Sequence, residues 1–142
     1  MIDKATREKI ISLIRREVVP ALGCTEPIAV SLAVAKATEL LGMQPEEINL
    51  GLSGNIIKNA MGVGIPGTGM IGLPIAIALG SLIGKSEYGL EVLKEVSPEA
   101  VDRGKAFIES VPINIKHLPD SPSNLHVDVE VRAQGHSARA VI

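Results

Sequence analysis

Three short stretches of this chain carry residue types suited to chemistry. The first is Gly23-Cys24-Thr25-Glu26-Pro27. Thr25 followed by Glu26 and Pro27 reads as a helix start with Thr25 as cap. Cys24 then falls at the helix N-terminus, where free N–H groups and the positive dipole end favour a thiolate. A metal ligand or a nucleophile requires that thiolate; the plainer alternative is a cysteine packed in a core. The second stretch is Ser53-Gly54-Asn55 with Lys58-Asn59. Asn55 and Asn59 share a face if the segment is helical. Lys58 is suited to holding a carboxylate or, if desolvated, to acting as a base. The plainer alternative is a capped turn and a solvated helix edge; in these charge-free surroundings a buried lysine would carry more interest than usual. The third is Gly62-Val63-Gly64-Ile65-Pro66-Gly67, followed by Thr68 and Gly69. It matches G-x-G-x-x-G, but no strand leads directly into it, and none leads into Glu87, so a dinucleotide site is rejected. Its backbone N–H groups remain suited to a small anion such as a carboxylate. His117, His126 and His136 show no metal-ligand spacing.

Composition bounds the function classes. The 142 residues carry a net charge of −2, 46% hydrophobic residues and a mean hydropathy of +0.30. Such a chain has material for one core and is not disordered. The near-neutral charge argues against phosphate-driven nucleic-acid binding. Tyr88 and Phe107 are the only aromatic residues, too few for a base-stacking platform. The single cysteine excludes an internal disulfide and a multi-thiolate site within the chain. Of the 14 glycines, ten lie between Gly51 and Gly89. The charged N-terminus has no signal-peptide block, which implies a cytoplasmic location. Residues 59–83 lack charge over a membrane-spanning length, but the glycines, Pro66 and Pro74 make a buried core helix the better reading.

The elements that must position these residues follow from periodicity and breakers. Asp3 caps a first helix with Ile10, Ile11, Ile14 and Val18 at helical spacing, closed by Pro20. Ile28–Leu41 is apolar on nearly every side, a buried helix ended by Gly42. Ile48, Leu50 and Leu52 alternate as a strand. Ser53-Gly54-Asn55 reads as a turn and 56–61 as a short helix. A glycine loop spans 62–69. Met70–Ile83 is expected to be a helix kinked near Pro74, and Glu87–Val96 another helix. Ser97-Pro98 starts a helix reaching about Glu109. Val111, Ile113 and Ile115, then Leu125, Val127, Val129 and Val131, predict two antiparallel strands, with Gly135 turning into a third. The fold class is α+β: a helical part over about 1–110 with a short strand and glycine loop, then a small antiparallel sheet over about 111–142. The final residues read as a strand in progress, either docked at a sheet edge or cut from a larger chain.

The cysteine stretch, the block Ser53 to Gly69 and the closing Gly135-His136-Ser137-Ala138-Arg139 resemble the N-terminal portion of the L-cysteine desulfidase family, related to the alpha chain of iron–sulfur L-serine dehydratases. The likeness covers essentially all of this chain but about the first third of a family member. It implies a pyridoxal-independent lyase with a [4Fe–4S] cluster that eliminates sulfide from L-cysteine, giving pyruvate and ammonia. Cys24 then carries over as one cluster ligand, and the others belong to the missing C-terminal part of the enzyme. Lys58 is the candidate catalytic residue. Thr25, Ser53, Gly54, Asn55, Asn59, Gly64, Gly67 and Thr68 are candidates for binding a small amino-acid substrate. One thiolate cannot hold a cubane, so the fragment alone is expected to lack both cluster and activity. Alternatives are deamination of L-serine at the same site, or a non-enzymatic domain for small anions or association. A homo-oligomer is compatible with the sequence; nucleic-acid and membrane partners are not expected.

Overall fold

The computed structural model describes residues 2–142. Helix α1 (Lys4–Glu17) starts at Asp3, whose carboxylate accepts from the Thr6 backbone N–H at 2.9 Å, as expected of the cap. Helix α2 (Thr25–Leu41) is capped by Cys24 rather than Thr25, and Gly42 closes it in the left-handed region at φ 74°. Strand β1 (Glu47–Leu52) buries Ile48, Leu50 and Leu52 on one face, in keeping with the alternation. Helix α3 (Gly54–Ala60) begins earlier than expected, because Ser53 already has cap geometry.

The glycine segment is not a plain loop. It is a small hairpin of β2 (Gly64–Ile65) and β3 (Met70–Ile71). Helix α4 (Leu73–Leu82) follows. Pro74 sits in its first turn instead of kinking it, where a missing N–H costs nothing. The expected helix over Glu87–Val96 is replaced by a 3-10 turn, Ser86–Glu91, and further turns. Gly89 at φ 53°, ψ −125° breaks it. Helix α5 (Pro98–Ser110) has the expected Ser97 cap, which accepts from the Ala100 N–H at 3.2 Å. Strands β4 (Ile113–His117), β5 (Val127–Ala133) and β6 (His136–Val141) end the chain.

The sheet corrects the expected pairing. The order is β4-β1-β5-β6, and β1 lies between the two strands expected to pair with each other. β1 runs parallel to β4 with Leu50 opposite Ile115, and antiparallel to β5 with Leu50 opposite Val129. The sheet is therefore mixed and includes a strand from the helical part. Alternation specifies which face of a strand is buried, but not its neighbour. A parallel pair needs a long crossover, and α3, the hairpin, α4 and α5 provide it.

One face of the sheet carries the core. Val127, Val129 and Val131 meet Val30, Val34 and Ala37 of α2, with Leu73 and Ile77 of α4 behind. A second apolar layer joins Ile28, Ile75, Leu79 and Ala100 with Ile65 of the hairpin. The run expected as a core helix is thus buried in α4, where Leu73 and residues 75–79 are all inaccessible. Among the described residues no helix is long and apolar enough to cross a membrane.

The other sheet face is polar. Arg139 makes a two-pronged bond to Asp128 across β5 and β6, at 2.7 and 2.6 Å. Those bonds hold the Asp128 carboxyl below its ordinary range. A depressed acid stabilises the fold above its unfolded value and loses that contribution as pH falls through the folded one. Stability is therefore expected to decline as pH drops below about 4, the ordinary aspartate value, and Asp128→Asn should flatten that decline. Thermal unfolding of both proteins across pH 2–6 checks it; equal slopes would remove Asp128 from the account.

Candidate functional site

The two motif regions and the glycine hairpin meet at one corner, reached from three separate parts of the chain. Gly23, at φ 85°, turns the chain into α2. A β-carbon there would stand 2.8 Å from Pro66 Cγ, so the hairpin tip closes directly on the turn before Cys24. From the other side, Asn59 Nδ2 donates to Glu26 Oε1 at 3.2 Å and to Asn55 Oδ1 at 3.2 Å. Thr25 Oγ1 donates to Glu26 Oε2 at 3.3 Å. Glu26 therefore ties the α2 start to α3.

Cys24 is exposed, and its side chain makes no cap hydrogen bond. Thr25 and Asn55 are exposed, and Asn59 is partly buried. Lys58 is also exposed, as the solvated-edge alternative has it. The apolar run after it is consumed by α4 and the hairpin, and Lys58 projects from the outer side of a two-turn helix. Within these residues its side chain faces solvent.

Two candidate hydroxyls are engaged in structure. Ser53 is buried; its Oγ donates to the Asn124 carbonyl at 2.7 Å and accepts from the His126 N–H at 3.3 Å. It ties the end of β1 to the approach to β5. Thr68 Oγ1 donates to the Ile65 carbonyl at 2.7 Å and accepts from the Met70 N–H at 2.9 Å, locking the hairpin turn. Gly67, at φ 78°, packs against Val96, with 2.9 Å available to a β-carbon. Gly64 pairs with Ile71, and its face is open. Gly54 lies beside His117: a β-carbon would come within 3.1 Å of Nε2.

Glu26 and His117 also belong to this corner, and no motif in the sequence singles them out. Glu26 is legible as a helix-start acid, but its bond to a residue 33 positions away has no local signal. His117 arrives beside Gly54 because β4 is parallel to β1. His136 lies at the opposite end of the sheet, opposite Ala133. An open groove of about 510 Å³ lies away from this corner. It lies on the polar sheet face over Asn49, Gly51, Asn114, Lys116, Asp128 and Arg139.

Cys24 is the single thiol of the sequence, free and exposed at the start of α2. Among the described residues no group of three or more His, Cys, Asp or Glu is placed to hold a metal ion. These 142 residues on their own therefore do not fit a cubane cluster.

The chain is 63% identical over 142 residues to a UPF0597 protein of Phocaeicola vulgatus, covering all of this chain and 33% of the relative. It is 60% identical over 139 residues to the UPF0597 protein BF3560 of Bacteroides fragilis, covering 98% of the chain and 32% of the relative. To a UPF0597 protein of Aeromonas hydrophila it is 48% identical over 139 residues, with 98% and 31% covered. The chain thus spans about a third of the length of the curated relatives it matches. No family model and no solved structure matches it.

Proposed function

We propose, from the premise that this chain belongs to the UPF0597 family and spans about a third of its relatives' length, that it supplies one wall of a carbon–sulfur lyase site for L-cysteine. The observation that carries the reading is the convergence of Cys24, the Asn55–Asn59 face and the Pro66 hairpin at one open corner. A β-elimination needs an acid at the leaving group and a base at Cα, held in one place. In this reading Cys24 is one ligand of a [4Fe–4S] cluster whose other ligands come from the rest of the longer protein. Such a cluster, when bound, supplies Lewis acidity.

The chain's own part is binding and orientation. Asn55, Lys58 and Asn59 lie at i, i+3 and i+4 on α3 and share a face. Lys58 offers its cation to the substrate carboxylate, with Thr25 and the Asn55 amide alongside. Glu26 holds α2 and α3 at fixed separation. For Lys58 to act as the base, the remainder of the protein must hold the substrate's Cα against this exposed side chain.

In the full-length protein, Cys24→Ala is expected to lower bound iron and acid-labile sulfide and to cut pyruvate formation from L-cysteine by 100-fold or more. Undiminished iron and activity in that variant would sink the reading. Sulfide release from L-cysteine, measured beside pyruvate formation from L-serine, separates the two candidate substrates.

A further inference from the structure

We infer that the apolar face of α1 is the docking surface of this chain for the remaining two-thirds of the longer protein. Helix α1 has 14 residues, and none of them is buried. Ile10, Leu13 and Ile14 are 41%, 50% and 51% exposed, and Ile11 stands beside them. At 100° per residue these four form one patch in the middle of the helix, with Arg7 a turn before it and Glu17 a turn after it on the same side, while Lys4, Glu8, Lys9, Ser12, Arg15 and Arg16 fall on the other. No other element packs extensively on this helix. The connecting residues Val18 and Val19 are 68% and 60% exposed. A lone helix of this length is marginal in water, and an amphipathic one draws its stability from covering its apolar side. The sequence therefore encodes a face that the rest of the chain leaves bare.

Charge and length select the occupant. The helix carries five basic and two acidic side chains. Its salt bridges, Lys4–Glu8 and Arg16–Glu17, are internal. Two copies packed face to face would bring two strongly basic helices together, which opposes self-association. The face is purely aliphatic, without the Trp or Phe that helices lying in a membrane interface often carry. The relatives match this chain over its whole length, α1 included, and are about three times as long. The occupant is thus a surface of that further chain: an apolar groove of aliphatic width, bordered by acidic side chains that meet Arg7, Lys9 and Arg15. This inference does not depend on the lyase reading.

Hydrogen exchange tests it on two proteins, the 142-residue chain and the full-length Phocaeicola vulgatus relative. Amides of residues 4–17 should exchange within about tenfold of an unstructured peptide in the short chain. The aligned segment of the relative should exchange at least 100-fold more slowly. Equally fast exchange in both overturns the proposal. Slowing in the short chain at higher concentration, with a doubled mass, assigns the face to a second copy and also overturns it. So does slowing of the relative's segment that appears only when vesicles of phosphatidylglycerol are added. A substitution pair gives an independent reading. Ile10→Asp with Ile14→Asp should leave the midpoint of the short chain unchanged, since nothing rests on those side chains. Aspartates at the aligned positions of the relative should lower its midpoint, and an unchanged midpoint there contradicts the inference.

Discussion

Gly80→Ala should destabilise the 142-residue chain by about 3 kcal/mol, lowering its thermal midpoint by roughly 10 °C. Gly80 lies in α4 where that helix meets α2, the most extensive helix–helix contact of the fold. A β-carbon at Gly80 would stand 2.6 Å from the Ser31 carbonyl oxygen and 3.0 Å from Ser31 Cα. Both are backbone atoms, so no side chain is available to swing aside. The helices must move apart, and Ser31 Oγ would lose its 2.9 Å bond to the Ala76 carbonyl across the pair, keeping only the Pro27 carbonyl of its own helix at 3.1 Å. Alanine is the better helix former by about 1 kcal/mol, but the overlap exceeds that gain. Gly62→Ala is the control: it has open space around it and should change stability by less than about 0.5 kcal/mol. Similar midpoints for the two variants would show that α2 and α4 are not held at this distance.

Leu52→Ala is expected to cost a further class of energy, about 2–5 kcal/mol, by opening a cavity in the central strand. Leu52 is fully buried and lies between His117 of β4 and Val127 of β5. It is also the last strand residue before Ser53, whose hydroxyl bonds the 124–126 segment. The lost volume therefore lies under the junction that sets the start of α3. Urea unfolding should show a lower midpoint at unchanged slope. Leu40→Ala, at a side chain 58% exposed, should stay within about 0.5 kcal/mol of the parent. A loss below about 1 kcal/mol for Leu52→Ala would mean that the junction collapses onto the gap.

Particular elements show how far local signals reach. Asp3, Gly42 and Ser97-Pro98 mark real helix ends, because a cap is a short-range hydrogen bond or a single backbone angle. Pro74 was legible as a breaker but not as a helix beginner. That distinction depends on Gly72, whose φ of 86° and N–H bond to the Val63 carbonyl finish the hairpin just before α4. The stretch after Lys85 read as a helix from composition. Gly89 overrides it with one backbone angle that composition does not report.

The candidate site divides in the same way. Cys24 at a helix start and Asn55 with Asn59 on one face were legible, since both are statements about one helix. The solvation of Lys58, the engagement of Ser53 with Asn124, and the role of Glu26 were not. Each is decided by a residue tens of positions away.

By itself, then, the sequence determined most of the longer helices and strands, the buried side of β1 and β5, and that one thiol is available. It also placed Ile10, Ile11, Ile14 and Val18 at helical spacing in α1. Only the tertiary structure decided that β1 stands between β4 and β5, that the Pro66 hairpin closes on Gly23, and that nothing in residues 2–142 covers α1. The physical reason is that periodicity records the presence of a buried face at each position along the chain. Which surface buries it is set by the packing of distant segments, and that information is shared among residues with no common local pattern.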